Sequence, residues 1–161
     1  MDLLEVKSRI AEALVESIFR RARYAVEPHR DAMPLRLGRE DFSPDFRVRY
    51  KGDNGTEQSA LIEVKYRSSV DQFISVENQR GERSVFVAAR RQWPELCFVF
   101  VTDRPLPGRS SFQALSFRDR PAEQPFDTVD LGTLERFGIF AHNITDHEEL
   151  LRRIYGLLSA I

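Results

Sequence analysis

Leu3, Val6, Ile10, Leu14, Ile18 and Ala22 recur three or four residues apart, and Leu4, Ala11, Val15 and Phe19 widen the stripe. This spacing predicts an amphipathic helix over about 2–23, capped by Asp2 and closed by arginines that suit the negative end of the helix dipole. Tyr24 to Glu27 predicts a short strand ended by Pro28. Residues 29–41, interrupted by Pro34 and Gly38, predict irregular chain. The period then shortens to two. Phe46, Val48 and Tyr50 alternate with Arg47 and Arg49, and Ala60-Leu61-Ile62-Glu63-Val64-Lys65-Tyr66 forms a second run. Two strands paired across a turn at 51–55 account for both.

Farther on, 69–79 reads as a turn of helix or a loop ending at Gly81, and 84–93 as a helix stopped by Pro94. Leu96 to Val101 is apolar throughout, as a strand covered on both faces would be. Residues 103–126, with Pro105, Pro107, Pro121 and Pro125, predict a long loop that holds a short strand at 112–117. Residues 128–131 suggest a weak strand. Thr145 and Glu148 form a capping box that opens a last helix over 146–158, with Leu150, Leu151, Ile154, Leu157 and Leu158 on its buried side. A crossover from the strand at Ile62 to the strand at Val101 through helix makes part of the sheet parallel. The expectation is one α/β domain over 1–161, a mixed central sheet flanked by helices. Neither an internal repeat nor a low-complexity segment interrupts it.

Alternation also sorts the polar residues. Glu63 and Lys65 point to one side of their strand, away from Ile62, Val64 and Tyr66, and Asp45 lies on the face opposite Phe46, Val48 and Tyr50. Pairing the two strands therefore gathers two carboxylates and one ammonium. Adjacent carboxylates repel, and a hard divalent cation relieves the repulsion. Each residue has a plainer explanation. Asp45 after Pro44 suits a turn. Glu63 inside an apolar run could be held by Lys65 or a neighbouring arginine. Such a pair contributes only up to about 1 kcal/mol, too little to favour burying a carboxylate for its own sake.

Pro44-Asp45 followed by Glu63-Val64-Lys65 resembles the signature of the PD-(D/E)xK nuclease superfamily, which includes many restriction endonucleases and Holliday-junction resolvases. Only three of the chain's twenty-four basic residues are lysines, and one stands in the motif. The resemblance implies a restriction-endonuclease-like αβββαβ core and a metal-dependent nuclease. Asp45, Glu63 and the carbonyl of Val64 would then hold Mg²⁺, with Mn²⁺ able to substitute, and Lys65 would orient water or stabilise the phosphate. Families of this type often add a glutamate from the first helix. Glu5, Glu12 and Glu16 share its polar stripe, but Glu12 projects only about 20° from Phe19, at the apolar border. Ala11-Glu12 also resembles the Ala-Glu of Holliday-junction resolvases, so Glu12 is the fourth catalytic candidate. Gln79 falls where some members carry a supporting glutamine. Arg47, Arg49 and Arg67 could flank the site or a nucleic-acid backbone.

Composition narrows the alternatives. Apolar and charged fractions of 42% and 30% fit a globular domain. No apolar run nears the roughly 20 residues needed to span a bilayer, and Met1 to Glu5 do not read as a secretory signal. Cys97 is the single cysteine, so no internal disulfide forms, and its apolar neighbours predict a buried thiol. A reducing, cytoplasmic setting is expected, without membrane attachment. The net charge of −1 argues against coating nucleic acid by bulk electrostatics, though local arginines can still form a groove. His29, His142 and His147 lack metal-ligand spacing, and no phosphate-binding glycine loop, nucleophile elbow or zinc-finger pattern occurs. The expected partner is nucleic acid, DNA first, with a homodimer or partner proteins supplying recognition. The alternative from another class is a catalytically inactive nuclease-like domain that binds nucleic acid or protein.

Overall fold

Asp2 opens the first helix by accepting hydrogen bonds from the backbone N–H groups of Leu4 (3.0 Å) and Glu5 (3.4 Å), as its sequence position predicts. The computed structural model describes residues 2–29, 35–37, 40–52, 54–118 and 124–160, with 35–37 and 40–42 defined by backbone alone. Helix α1 (Leu3–Arg21) is followed by strands β1 (Ala25–Pro28), β2 (Leu35–Leu37), β3 (Glu40–Phe42), β4 (Phe46–Lys51) and β5 (Glu57–Tyr66). Helices α2 (Val70–Gln79) and α3 (Val85–Gln92) then lead to β6 (Leu96–Val101), β7 (Phe112–Ser116), β8 (Val129–Asp130) and α4 (Ala141–Ser159).

The chain is α/β, with a six-stranded mixed sheet in the order β1-β4-β5-β6-β7-β8. Every neighbouring pair is antiparallel except β5 and β6, which α2 and α3 connect as a parallel crossover. Alternation in β5 divides the core. Ile62, Val64 and Tyr66 pack with α1 and α4 on one face, whereas Leu61 packs with α2 and α3 on the other. In β6 the same rule sends Cys97, Val99 and Val101 one way and Phe98 and Phe100 the other, so the whole strand is buried. The thiol of Cys97 is buried as expected.

Several expectations need correction. Residues 29–41 are not wholly irregular, because β2 and β3 form a small antiparallel hairpin that extends to Phe42. The first strand begins one residue late. Tyr24 instead enters the core, where its hydroxyl donates to the carbonyl of Phe137 at 2.8 Å. Residues 70–79 form a full helix, capped by Ser69. The short strand expected at 112–117 within the loop of 103–126 does form, as β7, which is wholly buried and pairs with β6; Pro121 lies outside the described residues.

The last helix differs most. It starts at Ala141, and Thr145 is not its cap, since its Oγ1 donates to the carbonyl of Ala141 at 3.1 Å within the helix. Its buried stripe is Asn143, Ile144, His147, Leu151 and Tyr155, while Leu150 and Leu157 are exposed and Ile154 and Leu158 only partly covered. Polar groups within the stripe find partners. His147 bonds the carbonyl of Asn143 (2.6 Å) and Ser17 (2.9 Å), and the Tyr155 hydroxyl donates to the carbonyl of Lys7 (2.6 Å). Among the described residues no helix is long and apolar enough to cross a membrane.

Candidate functional site

The site forms where two neighbouring strands end at different levels. Strand β4 stops pairing with β5 at Phe46 opposite Ile62, but β5 continues beside β6 as far as Tyr66. Among the described residues, 63–66 consequently pair with a strand on one side only. Asp45 sits at the step. Its N–H donates to the carbonyl of Ile62 (2.8 Å), and its carbonyl accepts from the N–H of His29 (3.3 Å). Its carboxylate then takes the place of the missing strand, with Oδ2 accepting from the N–H of Val64 at 2.7 Å. In a strand the N–H and C=O of one residue face the same side, so the Val64 carbonyl opens onto this step too.

Glu63 and Lys65 rise on the face that Leu61 shares. The Glu63 side chain is only 4% exposed, with Oε1 3.2 Å from the Lys65 ammonium. Its Oε2 is buried with no hydrogen-bond donor among the described residues. A desolvated carboxylate oxygen in this condition calls for a proton or a cation. Burial pushes the Glu63 carboxyl well above its ordinary range, and the nearby charges of Asp45 and Glu12 push the same way. The Lys65 ammonium opposes them without prevailing. Asp45 rises to about 7, again through burial, against the pull of its Val64 hydrogen bond.

Glu12 joins the group from α1. It is half-buried, burial raises its carboxyl, and its charge acts on both Asp45 and Glu63. Glu16, one turn later, instead turns to Arg20 in an exposed ion pair at 2.8 Å. Glu5 does likewise with Arg9 at 3.3 Å. The helix thus presents one of its three glutamates to the sheet.

Other candidates lie apart or are held by neighbours. Gln79 is exposed at the end of α2 and faces a cavity beside Phe126 that Asp45, Glu63 and Glu12 do not line. Arg47 bonds Ser59 Oγ (2.9 Å) and pairs with Glu95 (3.7 Å), while Arg49 pairs with Glu27 (3.7 Å) across β1. Arg67 lies over the ring of Phe73 at 4.5 Å and donates to the carbonyl of Tyr66.

A neighbouring cluster carried no motif in the sequence. The Lys7 ammonium lies 3.7 Å from the Asp103 carboxylate and over the rings of Tyr66 and Tyr155, and the Tyr66 hydroxyl donates to Asp103 at 2.7 Å. These residues come from α1, β5, the turn after β6, and α4, so no local spacing could have announced them. The signal available was the scarcity of lysine, which singles out Lys7 as it does Lys65. The cluster ties α1 to the end of β5, next to Lys65.

Among the described residues no group of three or more His, Cys, Asp or Glu side chains converges as a ready cation cage. Asp45, Glu63 and the Val64 carbonyl form a small, all-oxygen donor set. Such a set suits a hard ion that keeps several of its own waters, and the buried Glu63 Oε2 is the atom most in need of it. No protein-family model, no curated protein and no solved structure matches this chain.

Proposed function

We propose that the chain is a divalent-metal-dependent nuclease with a restriction-endonuclease-like core, hydrolysing phosphodiester bonds in nucleic acid, DNA first. One observation carries the reading: Asp45, Glu63 and Lys65 meet at the step between β4 and β5, with a desolvated carboxylate oxygen left over. Apart from the β2–β3 hairpin, which forms its own sheet, the succession α1, β1, β4, β5, two helices, β6 also supports an αβββαβ core.

In this reading Asp45, Glu63 and the Val64 carbonyl would hold Mg²⁺, with Mn²⁺ able to replace it. When bound, the ion supplies Lewis-acid charge beside the scissile phosphate. Lys65 donates to the phosphate oxygen on which charge grows, or holds the attacking water in line. Glu12, its proton affinity raised by burial, accepts a hydrogen bond from that water. Water oxygen bonds to phosphorus, the bond to the leaving sugar oxygen breaks, and a phosphate monoester and a free hydroxyl result.

The test is a cleavage panel of duplex, branched and single-stranded DNA, and RNA, with Mg²⁺ and with Mn²⁺. Wild type should cut at least one substrate, and Lys65→Ala should lose about 10²–10³ in rate with its melting temperature kept, because the ammonium is preorganised charge rather than core packing. Full activity in the purified variant would remove Lys65 from the mechanism. Nucleic-acid binding without cleavage in either metal would select the inactive binding module instead.

A further inference from the structure

The far end of the same sheet carries a second cavity, of about 360 Å³, between the end of α1, the β4–β5 turn end and the segment before α4. Gln58 lines it, seven residues before Lys65 on β5, which sets the cavity about 23 Å from the carboxylate site. Among the described residues that line it are three arginines, Arg21, Arg23 and Arg136, and one carboxylate, Glu135, with Asp146 paired to Arg21 beside it. Its walls include Tyr24 and Tyr50, whose rings lie 5.4 Å apart, and Phe140. Phe140 is 64% exposed, and its ring stacks on His142 at 5.7 Å.

Arg23 is the informative residue. Helix α1 ends with Tyr24 N–H bonded to the carbonyl of Phe19 and Arg23 N–H to that of Arg20, both at 3.0 Å. The Phe19 and Tyr24 rings meet edge-on at 5.4 Å. This is a Schellman end, and the residue at Arg23 must take a left-handed backbone, here φ +72°. Glycine is the usual occupant because any Cβ is strained there. Arg23 is the sole described non-glycine residue with positive φ. The strained position thus carries a guanidinium at the mouth of an arginine-lined, aromatic-walled cavity, and strain of this kind concentrates at functional positions.

Arg21 and Arg136 are anchored. Arg21 pairs with Asp146 at 3.4 Å, and Arg136 bonds Ser116 Oγ at 3.0 Å while lying over the ring of Phe137. They supply fixed positive charge, and exposed Arg23 supplies the group that can close on an anion. Guanidinium forks suit phosphate, an exposed aromatic ring suits a base, and the Gln58 amide can meet a base edge. We propose that this cavity is a nucleotide-binding site, taking a phosphate joined to a nucleobase, either free or within a single strand. It uses none of the residues assigned to cleavage.

Titration of the full chain in chelator with adenosine 5′-monophosphate, inorganic phosphate and a short single-stranded oligonucleotide tests it. Adenosine monophosphate should bind at least about tenfold more tightly than phosphate, since stacking one base is worth that much. Arg23→Gly should weaken nucleotide binding about tenfold, the scale of one charge-assisted hydrogen bond, with a melting temperature equal to or above wild type because glycine relieves the backbone. An oligonucleotide that binds tenfold better than the mononucleotide would identify a strand as the source, and equal affinities a free nucleotide. The Arg23-dependent part of adenosine monophosphate binding should be the same in wild type and in Lys65→Ala, so loss of the nuclease reading would leave this site standing. Unaltered affinity in Arg23→Gly, phosphate binding as tight as nucleotide, or no binding of any probe would overturn it.

Discussion

At the residue scale, the first helix makes a choice between two chemically identical side chains. Glu12 and Glu16 stand one turn apart and are both partly buried, yet it is the charge of Glu12 that acts on Asp45 and Glu63, whereas Glu16 is held by Arg20. Under the proposed mechanism Glu12→Gln should slow cleavage at least about tenfold, a barrier rise near 1.4 kcal/mol. Glu16→Gln should change the rate little and remove only an exposed pair worth about 0.3–0.5 kcal/mol. Parallel single-turnover assays check both, and equal rates for wild type and the Glu12 variant would remove Glu12 from the reaction. The phase of this helix was readable in advance because its apolar stripe is long enough to fix which side faces the sheet. Arg23 was not readable, since nothing in the string Arg-Ala-Arg-Tyr says that its third residue must turn left-handed.

At the element scale, legibility followed the strength of the local pattern. Alternation announced β4 and β5 as a pair of strands and put Glu63 and Lys65 on one face, and the unbroken apolar run of β6 announced a strand covered on both sides. The start of α4 was misread because Thr145 and Glu148 have capping-box spacing, while the real start at Phe140 offers no side-chain cap. Its inward face was read only in part: Leu151 is buried as expected, but Asn143, His147 and Tyr155 fill places that the pattern gave to Leu150 and Leu157. Between α2 and α3 the decisive contact is also nonlocal to any motif. Glu77, buried at 2% exposure, accepts from the N–H of Val85 (2.9 Å) and from Ser84 Oγ (3.2 Å), so a carboxylate on one helix caps the next. Glu77→Ala would leave that N–H buried without an acceptor, and a loss of about 2–3 kcal/mol is expected. Glu77→Gln, which keeps one carbonyl oxygen, should lose less. Urea denaturation with an unchanged m-value measures both, and a stability loss below about 0.5 kcal/mol for the alanine variant would show that the cap is not needed.

At the scale of the whole molecule, three carboxyls set within electrostatic reach of one another, from α1, the residue before β4 and β5, make folding itself a proton-binding event. Burial raises Asp45 to about 7 and holds Glu63 well above, and Glu12 above, the ordinary carboxylate range. In the unfolded chain these groups lose their protons near pH 4. Between that pH and about 7 the folded state therefore binds more protons than the unfolded state. Stability of the metal-free protein should fall as pH rises through this window, and Glu63 should extend the decline upward. A divalent ion at Asp45 and Glu63 would reverse the trend, because it replaces the protons as the source of positive charge. Melting temperatures of the chelated protein should thus drop from pH 5 to pH 8, and Mg²⁺ or Mn²⁺ should recover most of the loss at pH 8. Asp45→Asn should flatten the metal-free profile and weaken the recovery, since an amide neither titrates nor supplies the charge. Calorimetry at pH 6.5 in two buffers of different ionisation enthalpy should give different apparent heats for Mn²⁺ binding, reporting the protons released. A flat melting profile together with buffer-independent heats would mean that the carboxyls are ionised before the metal arrives, and that the desolvated step at β5 is not the site where it binds.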